Sequence, residues 1–248
     1  MLATAAMRRA CTRTLCASPR VMRPTSQPTL SFDPSAKTAM DKQEPPAPGA
    51  DFRVVIVGAG NINFGSDEGP WNHSFRLEHK LGPRLKVVAL IDPDAERARR
   101  VLKTKCQSFV LSAYKDTVVY PTFKDYMASV CAETYPHAVW VGSPPAFRGG
   151  TEPGRNLEQL LTAGLPNVPL FIEKPVSTGA VDQTFEVAKM LEQNGSLVSV
   201  GYMLRYLKVV QKMKQIIAEN DLHVMAVNAR YICLLYTSPS PRDATLSR

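Results

Sequence analysis

Apolar positions along this chain alternate between two rhythms. Short runs rich in β-branched residues, such as "RVVIVGAG" (53–60), "LKVVALID" (85–92), "HAVWVGSPP" (137–145), "PLFIEKP" (169–175) and "SLVSVGYML" (196–204), read as strands of a sheet buried on both faces. Between them lie stretches with apolar residues every three or four positions: "NHSFRLEHKL" (72–81), "PDAERARRVLKTKC" (93–106), "TFKDYMASVCAE" (122–133), "RNLEQLLTAGL" (155–165), "TGAVDQTFEVAKMLEQNG" (178–195) and "RYLKVVQKMKQIIAEN" (205–220). These predict helices, with Asn72, Asp94 and Thr122 as start signals and Gly164 and Asn194-Gly195 as stops. A last apolar run, "HVMAVNARY" (223–231), predicts one more strand.

Regular alternation of strand and helix predicts an α/β fold, a doubly wound parallel sheet with helices on both faces. Such sheets bind ligands where their strands end. The positions to search are therefore Gly58–Gly60, Asp92, Ser143–Pro145, Glu173–Pro175 and Met203–Arg205.

The first strand runs into "GAGNIN", the opening of a phosphate-binding turn. Gly58 permits the tight turn, Gly60 lets a backbone approach a pyrophosphate, and the amides of Asn61 and Ile62 open the next helix toward it. A third glycine belongs at position 63, where Asn63 stands; Gly65 is the candidate substitute. Asp67 and Glu68 in the same loop would repel phosphate unless turned outward. Asp92, at the end of the second strand, is placed to accept hydrogen bonds from an adenosine ribose, and its charge opposes a 2′-phosphate. That favours NAD, with NADP kept open by Arg97, Arg99 and Arg100.

"FIEKPV" (171–176) ends an apolar run in a carboxylate, an ammonium and a proline. On an extended strand Glu173 and Lys174 point to opposite sides. Pro175 keeps Lys174 out of helical geometry, so the lysine is held at a strand end where substrate should lie, partly desolvated. An ammonium there can hydrogen-bond a carbonyl during hydride transfer, or help take a proton in reverse. A plain surface salt bridge explains the same stretch equally well.

Taken in order, the Gly-x-Gly strand, Asp92, Ser143-Pro144-Pro145, Glu173-Lys174-Pro175 and "GYMLRY" (201–206) resemble the Gfo/Idh/MocA family of NAD(P)-dependent oxidoreductases, over residues 53 to about 231. The resemblance implies a Rossmann domain, Lys174 as the catalytic residue, Ser143 and Pro144 lining the nicotinamide side, Glu173 near the nicotinamide ribose and Arg205 near the site. It implies hydride transfer to or from a secondary hydroxyl or ketone of a sugar or polyol. The chain departs from the pattern at Asn63 and at Phe147-Arg148, where the family often has a histidine. The Asp and His that the family's second domain supplies are not in this sequence. His73, His79, His137 and His223 lie outside that pattern and read as bland. A non-catalytic dinucleotide-binding regulator of the same fold is the alternative, and an unstable remnant a third reading.

Composition refines this picture little. The formal charge of +8 is spread as +3 over residues 1–51, +1 over 233–248 and +4 over the middle, with no aromatic-basic stripe for a nucleic acid. No apolar run approaches the ~18 residues of a membrane helix. The five cysteines make no metal-binding spacing, and Cys106 and Cys131 read as buried thiols of a reducing compartment. Residues 1–51 read as a disordered or transit-like leader, Arg-rich and free of acid before Asp33, so a cytoplasmic protein is expected, or a mitochondrial one if the leader is genuine. Residues 52–205 form the dinucleotide domain and 206–232 begin a truncated α+β substrate domain. "CLLYTSPSPRD" (233–243) is similar to a translated transposon-type sequencing adapter, so 233–248 reads as an artefact and the native protein is expected to continue. The partners expected are a small-molecule substrate, with no nucleic acid or membrane, and homo-oligomers only for the full-length parent.

Overall fold

The computed structural model describes residues 46–66 and 72–228 of the 248. Its centre is a six-stranded, all-parallel sheet: β1 (Phe52–Val57), β2 (Leu85–Ile91), β3 (Val118–Tyr120), β4 (Ala138–Val141), β5 (Leu170–Ile172) and β6 (Val198–Val200). The spatial order is β3-β2-β1-β4-β5-β6. Chain order reverses between β1 and β4, so the carboxyl ends of those strands open a crevice.

Helices fill the crossovers: α1 (Asn61–Phe64), α2 (His73–Leu81), α3 (Ala95–Cys106), α4 (Leu111–Tyr114), α5 (Phe123–Ser129), α6 (Leu157–Gly164), α7 (Val181–Gln193) and α8 (Lys208–Glu219). The predicted caps are in place. Asn72, Asp94 and Thr122 accept hydrogen bonds from the amides of Phe75, Arg97 and Asp125. Helix α5 is shorter than the periodicity implies. Val130 is extended, and Cys131 starts a turn in which its amide donates to Thr134 Oγ1 at 2.9 Å. Cys131 is therefore exposed and Cys106 half-buried, so neither is the buried thiol expected.

Side chains of β1 alternate between two cores, as period two requires. Val54 and Ile56 pack with Leu77, Ala98, Leu102 and Tyr114 on one face. Val55 and Val57 pack with Tyr126, Leu161 and Leu165 on the other. In β2 the parity changes partway: Leu85, Val87 and Leu90 face the first core, but Ala89 and Ile91 face the second. The cause is a register shift, with Val54 opposite Val87 and Val55 opposite Ala89, leaving Val88 as an extra residue. Without it Asp92 would end the strand on the opposite face.

Residues 223–228 form no strand and join neither edge of the described sheet, β3 or β6. The expected strand's remaining residues, 229–231, lie outside the described residues, as do 1–45, Asp67, Glu68 and the adapter-like tail. No helix among the described residues is long and apolar enough to cross a membrane.

Candidate functional site

The crevice begins at Gly58. Its φ of +97° is left-handed, and a Cβ there would sit 3.0 Å from the Ser143 nitrogen and 3.1 Å from the Gly142 carbonyl carbon. Only glycine lets β1 turn this close to the loop after β4. Gly60 opens α1, and a Cβ on it would meet nothing within 4 Å, which leaves its outer face clear for a ligand. Asn61 and Ile62 lie exposed in the first turn beyond it.

Asn63 corrects the expectation of a faulty turn. It is 1% exposed, and its Nδ2 donates to the carbonyls of Val57 at 3.1 Å and Gly58 at 2.7 Å. The amide thus fastens the turn from beneath, in the place where a third glycine would permit close packing. Gly142 pays for this, since a Cβ there would run into the Asn63 side chain. Gly65 is not the substitute glycine. At φ +89° it closes α1 against Asn72.

Asp92 is 7% exposed and already engaged. Oδ2 accepts the Ala59 amide at 2.6 Å, and Oδ1 accepts the Asp94 amide at 2.8 Å. Its first duty is thus to tie the glycine turn to the end of β2. Each carboxylate oxygen keeps a second acceptor position, so ribose hydroxyls can still be received. Beside it lies a cavity of about 450 Å³, walled by Gly58, Ile91, Asp92, Pro93, Thr122, Phe123, Ser143, Pro144, Phe147, Leu157 and Leu160, with Arg97 at its edge. Apolar walls with a few convergent polar groups are the usual make-up of a cofactor pocket. Ser143 Oγ is buried there with no hydrogen-bond partner among the described residues, as a hydroxyl reserved for a ligand would be. Arg97 is ion-paired with Asp94 at 3.2 Å. These residues fit the adenosine and pyrophosphate of a dinucleotide.

At the end of β5, Glu173 is 6% exposed and Lys174 is exposed, so the two side chains do point to opposite sides. Lys174 is not desolvated as expected, since no described segment covers it. The Lys174–Pro175 peptide bond is cis, which the sequence reading did not foresee. Glu173 turns inward: Oε2 accepts the Lys174 amide at 2.9 Å, and Oε1 meets His73 Nε2 at 2.7 Å. Burial works to raise the Glu173 pKa. The hydrogen bond and charge of His73, with the amide and ammonium of Lys174, outweigh it and hold the carboxyl below its ordinary value.

Two residues were missed by sequence reasoning. His73, read as bland, is 3% exposed and lies tilted against Trp140 and edge-on to Phe171. Arg148, noted only as a departure, is 1% exposed. Its Nε donates to the Ser143 carbonyl at 3.0 Å and its Nη1 to the Pro175 carbonyl at 2.6 Å and the Val176 carbonyl at 3.2 Å. It buckles the loop after β4 to the lysine turn after β5. An arginine following the apolar run 144–147 was the signal available for it. Arg205 stands exposed in the turn Met203–Tyr206, away from these contacts. His137 does prove structural, its Nδ1 accepting the Arg53 amide.

Comparison with known proteins fits this geometry. The family model described as "Oxidoreductase family, NAD-binding Rossmann fold" matches residues 52–202. A second, "Putative oxidoreductase C terminal domain", matches 205–241. Two proteins of Schizosaccharomyces pombe are similar: Uncharacterized protein C12C2.04, 43% identical over 74% of this chain and 48% of its own length, and Uncharacterized protein UNK4.17, 44% identical over 76% and 47%. The chain thus spans about half the length of these curated relatives. Among solved structures, the WlbA dehydrogenase of Chromobacterium violaceum, in complex with NADH and UDP-GlcNAcA, superposes with a TM-score of 0.50 at 17% identity, over 72% of this chain and 43% of that one. At that identity the likeness shows the fold.

Proposed function

From the premise that the chain belongs to the Gfo/Idh/MocA oxidoreductase family with an NAD-binding Rossmann fold, we propose that it carries the cofactor-binding part of a dehydrogenase acting on a secondary hydroxyl or ketone of a sugar or polyol-like substrate. The observation that carries the reading is Lys174, an exposed ammonium at the carboxyl end of β5. Its strand pairs with β4, whose own end forms the wall of the cofactor cavity.

In this reading Gly58, Gly60, Asn61 and Ile62 cradle the pyrophosphate. Asp92 receives the adenosine ribose, and Ser143 and Pro144 line the nicotinamide side. NAD supplies the hydride acceptor when bound. Glu173 is spent on His73 and the Lys174 amide, so its part is to hold the lysine turn more than to grip ribose. Arg205 is proposed at the outer rim. In the oxidation direction Lys174 would act as the neutral amine, taking the hydroxyl proton and becoming the ammonium as the C–H hydride passes to the bound cofactor and leaves a ketone; in reverse the ammonium would return that proton to the carbonyl oxygen. Positioned proton transfer of this kind is worth roughly 10²–10⁴-fold in rate.

The test is Lys174→Met, measured by NADH fluorescence titration and by turnover over a panel of sugars and polyols. The expected result is loss of turnover by about 10²-fold or more, with NADH affinity unchanged. A wild-type chain that binds no NADH overturns the reading. A chain that binds NADH yet, joined to a substrate domain so that it reaches its relatives' full length, turns over nothing in the panel replaces the reading with a dinucleotide-binding regulator of the same fold.

A further inference from the structure

The loop that joins β4 to α6 carries two arginines, and they are used differently. Arg148 donates to the carbonyls of Ser143, Pro175 and Val176. Arg155 is half-buried, and its Nε and Nη2 are enclosed without a hydrogen-bond partner among the described residues. It belongs to no ion pair among them either. Those two nitrogens carry the parallel N–H groups of the guanidinium's side-on fork, the pair that matches two oxygens of a carboxylate or phosphate. One whole recognition face of a permanent cation is thus buried and unused, and burying such donors unpaired is costly.

The surroundings hold that face in place. The loop doubles back on itself: the Arg155 amide donates to the Glu152 carbonyl at 3.0 Å, and the Gly150 amide donates to the Arg155 carbonyl at 3.0 Å. The loop is then docked on the chain beyond the lysine turn. Gly149, at φ +70°, lies so close that a Cβ there would sit 2.6 Å from both the Ser177 Cβ and the Val176 carbonyl oxygen. Thr184 Oγ1 donates to the Gly149 carbonyl at 3.2 Å. The guanidinium itself lies against Gly179, where a Cβ would sit 2.5 Å from Nη2 and 3.0 Å from Cζ. The Ser177 hydroxyl accepts the Gly179 amide at 2.9 Å and fixes that glycine against the cation. The carboxylates of the same stretch are turned elsewhere: Glu152 accepts Gln183 Nε2 at 3.2 Å, and Glu158 accepts the Gly149 amide at 2.8 Å. All of these neighbours lie among the described residues. Gly154 and Asn156, on either side of Arg155, line the cofactor cavity.

We propose that Arg155 and residues 177–179 form an oxyanion site that shares no residue with the glycine turn. It takes one carboxylate or phosphate group in the guanidinium fork and so ties the loop after β4 to the chain beyond the lysine turn. The fork is enclosed, so the anion enters as residues 177–179 lift and the site closes over it, with the Ser177 hydroxyl as a further polar group at hand. The same chemistry can come from two sources, free phosphate or the carboxylate of an acidic sugar.

The test is urea unfolding of the full chain at pH 7 and fixed ionic strength, with sodium chloride replaced stepwise by sodium phosphate or sodium glucuronate, and with glucose as the neutral control. An anion that fits the fork should raise the midpoint along a saturation curve, and glucose should not. A response to phosphate alone identifies the free ion as the ligand, and a response to glucuronate identifies a carboxylate borne by a sugar. Arg155→Lys keeps the charge but loses the fork, and should raise the half-saturating concentration by about 10-fold or more. Gly179→Ala crowds Nη2 while leaving Arg155 in place, and should do the same. A wild-type midpoint that responds to neither anion overturns the proposal. So does a response undiminished in Arg155→Lys, which would mark general screening or exclusion of the anion from the surface. If the variants fail to fold, NMR of the wild-type chain decides: the Arg155 Nε–H resonance should move along the same saturation curve, and one that stays in place overturns the site.

Discussion

Replacing Asp92 by alanine separates two duties that a single carboxylate performs. Oδ2 is the acceptor for the amide of Ala59, a residue only 2% exposed, at 2.6 Å. Oδ1 is the acceptor for the amide of half-buried Asp94 at 2.8 Å. In Asp92→Ala the Ala59 N–H loses a charged acceptor inside the turn, at a cost of about 1–3 kcal/mol. The Asp94 N–H can turn to water, so its loss is smaller, about 0.5–1 kcal/mol. The expected destabilisation is about 2–4 kcal/mol, a large part of a typical total of 5–15 kcal/mol. Asp92→Asn keeps one carbonyl acceptor but presents an NH₂ to the other amide, and about half the loss is expected.

Urea unfolding of the three chains measures this at constant m-value, and NADH titration under native conditions measures the second duty. If the carboxylate clamps the turn, both stability and affinity fall in Asp92→Ala, and Asp92→Asn lies between on both scales. If Asp92→Ala unfolds within about 0.5 kcal/mol of wild type while NADH binding collapses, the clamp contributes nothing and the carboxylate serves the ribose alone. That result would refute the reasoning from burial.

The same turn offers a coupled pair. Gly142→Ala collides with Asn63 and should destabilise the chain by about 1–3 kcal/mol, a loss that Asn63→Gly partly rescues in the double variant; additive losses in urea unfolding would rule the collision out. Arg148→Met strips donors from the carbonyls of Ser143, Pro175 and Val176 and should cost about 2–4 kcal/mol; a midpoint unchanged in urea would show that water satisfies those carbonyls instead. Glu173 gives a pH signature. Its carboxyl is held below the ordinary value of 4.5, so its contribution is complete above that value and is lost as pH falls through the folded-state value. Glu173→Gln should therefore be less stable than wild type at pH 7 and should lose less stability on acidification, and unfolding curves that fall in parallel would refute it.

What could be read in the sequence divides by how far its cause reaches along the chain. Gly58, the caps at Asn72, Asp94 and Thr122, and the β-branched strands answer to neighbours within a few residues, so one segment at a time reveals them. The three-residue strand β3 and the single turn α4 carry too little pattern to stand out, and only their place beside β2 makes them elements. Val88 could not be seen as an extra residue, because the shift exists only against β1. Residues 223–228 show the converse: a strand-like pattern states a capacity, and here it pairs with no described strand.

The site follows the same division, and this explains which of its residues were mistaken. Parallel strands all end on one side, so Gly58, Asp92, Ser143 and Lys174 converge by topology alone, and naming strand ends was enough to find them. Their supports come from elsewhere. Asn63 looked like a defect because its partners, the Val57 and Gly58 carbonyls and Gly142, are defined only once β1 and β4 lie together. His73 looked bland because its meaning is a carboxylate 100 residues away. Arg148 looked like a lost histidine because three carbonyls from two loops define it. Residues at strand ends fall at predictable places, whereas the groups that hold them are identified only by contact. A polar residue that breaks the local pattern next to a predicted site is therefore better taken as an unseen support than as a fault. Asn63, His73 and Arg148 all fit that rule.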